Sequence, residues 1–106
     1  MELGKLMMAV EMLENQSVSN REMTSQMIRV FLFVAENPAM TQREMAQALN
    51  INGGTISRVV TGLADGGSSK AGLKLIKAVQ NQTDFRSKQY FLTNKGVELS
   101  ARIKNI

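Results

Sequence analysis

The 106-residue chain has no cysteine, no histidine and no long apolar run. Without cysteine and histidine there can be no disulfide, no thiol nucleophile, no Cys/His zinc site and no Ser-His or Cys-His catalytic pair. Carboxylates, lysines and hydroxyls are the only groups left for catalysis. The longest apolar runs span a few residues, too few to cross a bilayer. The N-terminus lacks the charged region, apolar stretch and cleavage site of a secretion signal, so a soluble cytoplasmic protein is expected. The length suits one compact domain covering residues 1–106. Hydrophobic residues at 43% and charged residues at 21% give an ordinary globular balance.

The net charge of +4 is unevenly spread. Residues 1–51 carry four basic and six acidic side chains, a net −2, whereas residues 52–106 carry nine basic and three acidic ones, a net +6. A basic second half suits a polyanionic partner and leaves the first half for a different contact; the plainer reading is a set of solvated lysines.

Leu3, Leu6, Met7, Val10 and Leu13 recur at the spacing that gathers side chains on one helix face, which predicts a first helix over about residues 1–16. Ser19 and Glu22 have the spacing of a reciprocal cap and predict a second helix from near Asn20. Met23, Met27, Val30, Phe31 and Val34 form its stripe, widened by Ile28, Leu32 and Ala35, so it is expected to be the central core helix. Asn37-Pro38 stops it. Thr41 and Glu44 form a second cap, and Met45, Ala48 and Leu49 supply the buried face of a short third helix.

Asn50 follows where a tight turn needs a left-handed residue, which asparagine tolerates better than most. Ile51 turns inward and Asn52 caps a fourth helix whose apolar face is Ile56, Val59, Val60 and Leu63. This leaves Gly53, Gly54, Thr55, Ser57, Arg58 and Thr61 on its first turn or outward face. The pattern is that of a helix-turn-helix, or of an ordinary helical hairpin packed on a core. Small residues let a helix approach a groove, Arg58 can reach a guanine edge or a phosphate, and Ser57 and the threonines can donate to phosphate oxygens.

GGSSKAG (residues 66–72) is read as a loop. From Leu73, Leu75 and Ile76 the period changes to two, which predicts a β-hairpin with strands near 74–79 and 87–92 and a polar tip carrying Asn81, Gln82, Thr83 and Arg86. Thr93 caps a last helix from about Asn94, with Val97, Ser100, Ala101 and Ile103 facing inward or toward a partner. Asn-Lys-Gly is weak helical sequence and predicts a loose start there. The fold class is thus mainly α with a small β-hairpin, a winged helix-turn-helix.

From Met23 to Ile103 the chain resembles the winged helix-turn-helix of MarR-like transcriptional regulators. The segments that carry the resemblance are MTQREMAQALNINGGTISRVVTGL for the reading unit, TDFRSKQYFLT for the wing and FLTNKGVELSARI for the return into the last helix, with Asp84-x-Arg86 and the Leu-Thr before Lys95-Gly96 in the family's places. The resemblance implies a dimer with the fourth helix in the major groove and the wing in the neighbouring minor groove, Arg86 being the wing's cation. Three features depart from the family pattern. Phe85 stands where a second wing cation is common, GGSSKAG looks inserted, and both terminal helices are shorter than the usual dimerisation arms. No small-molecule effector is assigned.

The DNA contacts expected on this basis are Thr41, Gln42, Gly53, Gly54, Thr55, Ser57, Arg58, Thr61, Thr83, Arg86 and Lys88. Residues 1–16 are expected to form a dimerisation or packing helix, with Leu3, Leu6, Met7, Val10, Met12 and Ile103 facing a second subunit. Most of the eight methionines read as adaptable core, but Met8 and Met12 lie off the first helix's main stripe, and apolar residues on two sides of a terminal helix call for a second cover. The glutamates sit at caps or on expected solvent faces with no nucleophile or phosphate loop nearby, so no enzymatic activity, cofactor or metal is expected. The expected function is that of a homodimeric, sequence-specific regulator on double-stranded DNA, acting as a repressor. The alternative is a winged-helix module that binds protein.

Overall fold

The central helix starts later than Ser19 and Glu22 suggest. In the computed structural model, which describes residues 2–16, 22–67, 70–84 and 86–106, Glu22 to Thr24 are non-helical and α2 runs Ser25–Glu36. Its cap is Thr24, whose side chain accepts from the Met27 N–H at 3.2 Å; Ser19 lies outside the described residues. Either residue can serve as a cap, and burial decides between them. Met23 is buried without being helical, so the chain enters α2 already anchored in the core. Met27, Val30, Phe31 and Val34 are buried as their spacing predicts, and α2 ends before Asn37-Pro38.

The remaining elements are α1 (Leu3–Glu14), α3 (Gln42–Leu49), α4 (Gly53–Leu63), β1 (Ile76–Gln80), β2 (Lys88–Leu92) and α5 (Asn94–Lys104). One contiguous core joins Leu13, the α2 stripe, Met45, Ile56, Val60, Leu63, Leu75, Tyr90 and Leu99. In α3, Met45 is buried and Leu49 half-buried, but Ala48 is exposed and Ala46 packs on the core in its place. At 100° per residue, Ala46 lies on the Leu49 side of Met45, and Ala48 lies on the other side.

The expected stripe of α1 is buried within the chain only at Leu13. Ala9 and Leu13 are buried and Met12 half-buried, while Leu3, Leu6, Met7, Met8 and Val10 remain exposed, Leu3 at 82%. The helix packs chiefly on α5, which covers one face of it and leaves the rest open. On α5 the inward face is Gly96 and Leu99 with half-buried Ser100 and Ile103, the i, i+3, i+4, i+7 set; Val97 and Ala101 point outward.

The strands begin and end close to their predicted positions, except that Lys74 and Leu75 precede β1. Lys74 has a left-handed φ of 58°, which no strand residue adopts. The hairpin is antiparallel, pairing Ile76 with Leu92 and Gln80 with Lys88, and Tyr90 also bridges Met40. The described ends of the 66–72 loop meet each other. Gly66 bridges Ala71, and the Gly72 N–H donates to the Asp65 carbonyl at 3.0 Å. Gly66 has φ +84°, and a Cβ on either Gly66 or Gly72 would collide with backbone of the facing segment. The chain then rejoins the end of α4, with N–H groups of Leu73, Lys74 and Leu75 donating to the carbonyls of Gly62, Ala64 and Leu63 at 2.8–2.9 Å. The loop is thereby closed off before the wing begins.

The first turn of α5 is tied down rather than loose. Thr93 Oγ1 accepts from the Gly96 N–H and donates to the Lys74 carbonyl at 2.6 Å, and Lys95 Nζ donates to the Leu73 carbonyl at 3.0 Å. Gly96 sits directly against the Leu75 carbonyl oxygen, where a Cβ would collide. Gly96→Ala therefore sets a helix-propensity gain of about 1 kcal/mol against overpacking of about 1–3 kcal/mol with a backbone atom that cannot step aside. The expected outcome is a lower urea midpoint, measured by equilibrium unfolding; a higher midpoint would show that propensity prevails.

Candidate nucleic-acid interface

Reciprocal hydrogen bonds fix the start of α3, Glu44 N–H to Thr41 Oγ1 at 3.1 Å and Thr41 N–H to Glu44 Oε1 at 2.9 Å. Asn50 ends α3 in the left-handed region at φ 55°, and Ile51 turns into the core, its N–H donating to the Ala46 carbonyl. Arg29 of α2 donates to the Leu49 carbonyl at 2.9 Å, tying the turn to the central helix. Asn52 Oδ1 accepts from the Thr55 N–H at 2.8 Å and starts α4. These local interactions fix the direction of α4, whose buried Ile56, Val59, Val60 and Leu63 settle its rotation.

The opposite face of α4 carries Gly53, Gly54, Ser57, Arg58 and Thr61 exposed, with Thr55 half-buried. A Cβ on Gly53 would meet nothing within 4 Å, and one on Gly54 only Asn52 Oδ1 at an ordinary 3.6 Å. Packing within the chain therefore gives no reason for glycine at either position, though glycine loses more conformational freedom on folding than any other residue. What the pair provides is a bare backbone at the exposed tip of the helix. Arg58 reaches Thr55 Oγ1 only at a long 3.4 Å. The Thr61 hydroxyl donates to the Ser57 carbonyl at 2.8 Å, and that of Thr83 to Asn81 Oδ1 at 2.8 Å, so these two are already committed as donors.

In the wing, Asp84 Oδ1 accepts from the Arg86 N–H at 3.0 Å and lies 3.8 Å from its Nε, while the Arg86 side chain is 96% exposed. The aspartate shapes the turn more than it neutralises the cation, because a solvated pair at that separation contributes little. Phe85 lies outside the described residues.

Two grooves run between these elements. One, of about 690 Å³, separates the first turn of α3 from the wing and brings Thr41 and Gln42 together with Arg86 and Lys88. The other, of about 410 Å³, lies between α3 and the start of α4 and is lined by Gln42, Arg43, Ala46, Gln47, Gly53 and Ile56. Gln42 borders both, whereas Gly54, Thr55, Ser57, Arg58, Thr61 and Thr83 line neither. Among the lining residues that the sequence does not assign to the interface, Arg43 and Tyr90 stand out. Arg43, exposed in the first turn of α3, is signalled by its place beside Gln42. Tyr90 has no such signal, because alternation marks it only as a core position.

Comparison with known proteins agrees with this architecture. A model described as MarR family matches residues 22–68. A MarR transcriptional regulator from Methanosarcina mazei superimposes with a TM-score of 0.71 at 20% identity, over 93% of this chain and 63% of that one. MepR of S. aureus, solved as a DNA complex, gives 0.72 at 21%, over 96% of this chain and 75% of that one. PcaV of Streptomyces coelicolor, solved with its natural ligand, gives 0.65 at 25%, over 95% and 66% respectively. The chain thus spans about two-thirds to three-quarters of the length of these structures. No curated protein matches it in sequence.

The glycine pair generates a direct test. Gly53→Ala and Gly54→Ala should leave the fold unchanged or stabilise it by up to about 1 kcal/mol each, read as a raised urea midpoint. Destabilisation would mean that the bare backbone serves the fold.

Proposed function

We propose that this MarR-like winged helix is a transcriptional regulator that binds double-stranded DNA in a sequence-specific way through the exposed face of α4. The observation that carries the reading is that face itself: two glycines with no packing role in the chain, then Ser57, Arg58 and Thr61, and no large apolar side chain. A surface for docking protein would need apolar anchors there. A bare first turn permits close approach to base edges, and an arginine one turn further along suits a bidentate guanine contact. The MepR structure, which holds DNA, supports the reading by analogy of fold.

The DNA-contacting set is proposed as Thr41 and Gln42 at the start of α3, Gly53, Gly54, Thr55, Ser57, Arg58 and Thr61 on α4, and Thr83, Arg86 and Lys88 on the wing. The uncovered residues Leu3, Leu6, Met7 and Val10, with Met12 and Ile103 at the edge of the core, are proposed as a homodimer face. A dimer reading two half-sites gains the affinity that one short helix lacks. Repression is the simplest mode of action, since occupying a promoter suffices for it.

Selection of bound sequences from a random duplex pool tests the reading, and an inverted repeat with half-site centres about one DNA turn apart is expected. On the selected duplex Arg58→Ala should remove about 1–3 kcal/mol of discrimination against a scrambled duplex. Arg86→Ala should weaken both duplexes more evenly, because the minor groove offers a degenerate pattern and a strong negative potential. Equal loss on both duplexes for Arg58→Ala would make it a phosphate contact, and wild-type binding by Arg86→Ala would remove the wing from the interface. Failure to select any sequence would favour a protein partner.

A further inference from the structure

We infer that the groove between α3 and the wing seats one DNA phosphate on a pair of uncharged donors, the Tyr90 hydroxyl and the Gln42 side-chain amide. This rests on the DNA-binding reading above and assigns a chemical task to a residue that reading leaves out. Tyr90 is the only tyrosine in the chain and is 6% exposed, its ring packed in the core while its hydroxyl accepts from Gln42 Nε2 at 2.7 Å. Because the hydroxyl acts as acceptor, its own proton is left over. No described residue accepts that proton, nor the second N–H of Gln42. Both residues line the groove, so both protons are available to an occupant.

The charges around the pair favour an anion. Glu44 and Asp84 line the groove, but each has an oxygen engaged locally, Glu44 by the Thr41 N–H and Asp84 by the Arg86 N–H. Arg43 and Lys88 also line it and are exposed, and their side chains make no hydrogen bond or ion pair among the described residues. With Arg86, three cations face two carboxylates. A phosphodiester fits this set: its two non-bridging oxygens accept from the two donors while its charge meets the rim cations. The groove is open and bounded by the two elements that flank α4, as a polymer passing through requires. A phosphate held jointly by Gln42 of α3 and Tyr90 of β2 would fix the wing's position relative to the reading helix.

Duplex binding by Tyr90→Phe, Gln42→Ala and the double variant tests this. Tyr90→Phe keeps the ring in the core and Gln42→Ala keeps a good helix former, and unfolding midpoints of the variants check that the fold is retained. Each single variant should bind about 3- to 10-fold more weakly, the range for losing a neutral hydrogen bond, and equally on selected and scrambled duplexes. The double variant should lose little more than either one. Tyr90→Phe should leave the salt slope unchanged, whereas Arg43→Ala should reduce it by about 1. Replacing single phosphates with neutral methylphosphonates should reveal one linkage per half-site at which the Tyr90→Phe penalty disappears. Wild-type affinity in both single variants, or a penalty that persists at every linkage, would overturn the inference. Absence of duplex binding by the unaltered chain would overturn the functional reading itself, so the two failures are distinct.

Discussion

Three residues, Leu73 to Leu75, connect α4, the wing and the last helix. Their N–H groups bond the C-terminal carbonyls of α4, and the Leu73 and Leu75 side chains are fully buried. Their own carbonyls accept from the start of α5 and its cap: Leu73 from Lys95 Nζ, Lys74 from Thr93 Oγ1 and Leu75 from the Thr93 N–H. Lys74 is left-handed in order to turn this segment into β1, a strain of about 1–2 kcal/mol for a side chain with a Cβ. Buried backbone groups are seldom left unpaired, so this mutual satisfaction settles where the wing starts and how α5 departs. A loop whose ends meet before residue 73 leaves that geometry intact.

A second tie joins the wing to the α2–α3 junction from the other side. After Pro38, Ala39 takes φ +70°, its N–H donates to the Tyr90 carbonyl, and its own carbonyl accepts from Gln89 Nε2. The non-glycine left-handed residues among those described, Ala39, Asn50 and Lys74, fall at three junctions: α2 to α3, α3 to α4, and loop to wing. Local strain is tolerated where surrounding bonds over-determine the chain. Here it sets the relative placement of the elements proposed to contact DNA.

Much of this was legible in the sequence because it depends on local rules. Capping by Thr41, Asn52 and Thr93, the left-handed Asn50 and the inward Ile51 all follow from residue type and spacing. Structure and sequence pattern part where tertiary contact decides. Thr24 and not Ser19 marks the entry to α2, because Met23 is buried ahead of the helix. Ala48 faces outward because α4 and the core cover the Ala46 side of α3. Gly96 looks like a weak helix residue until the Leu75 carbonyl is seen against it. Likewise the Tyr90–Gln42 bond joins residues 48 apart in sequence, which no periodicity reveals.

On the proposed function, the exposed α4 face, the basic wing and the groove between wing and α3 share a demand for a polyanion. That demand is measured most directly by the salt dependence of duplex affinity. Titrating one duplex across a series of monovalent salt concentrations should give a linear log-log plot whose steep negative slope corresponds to several neutralised phosphates. A flat plot, or no binding at the lowest salt, would contradict the account and direct attention to a protein partner.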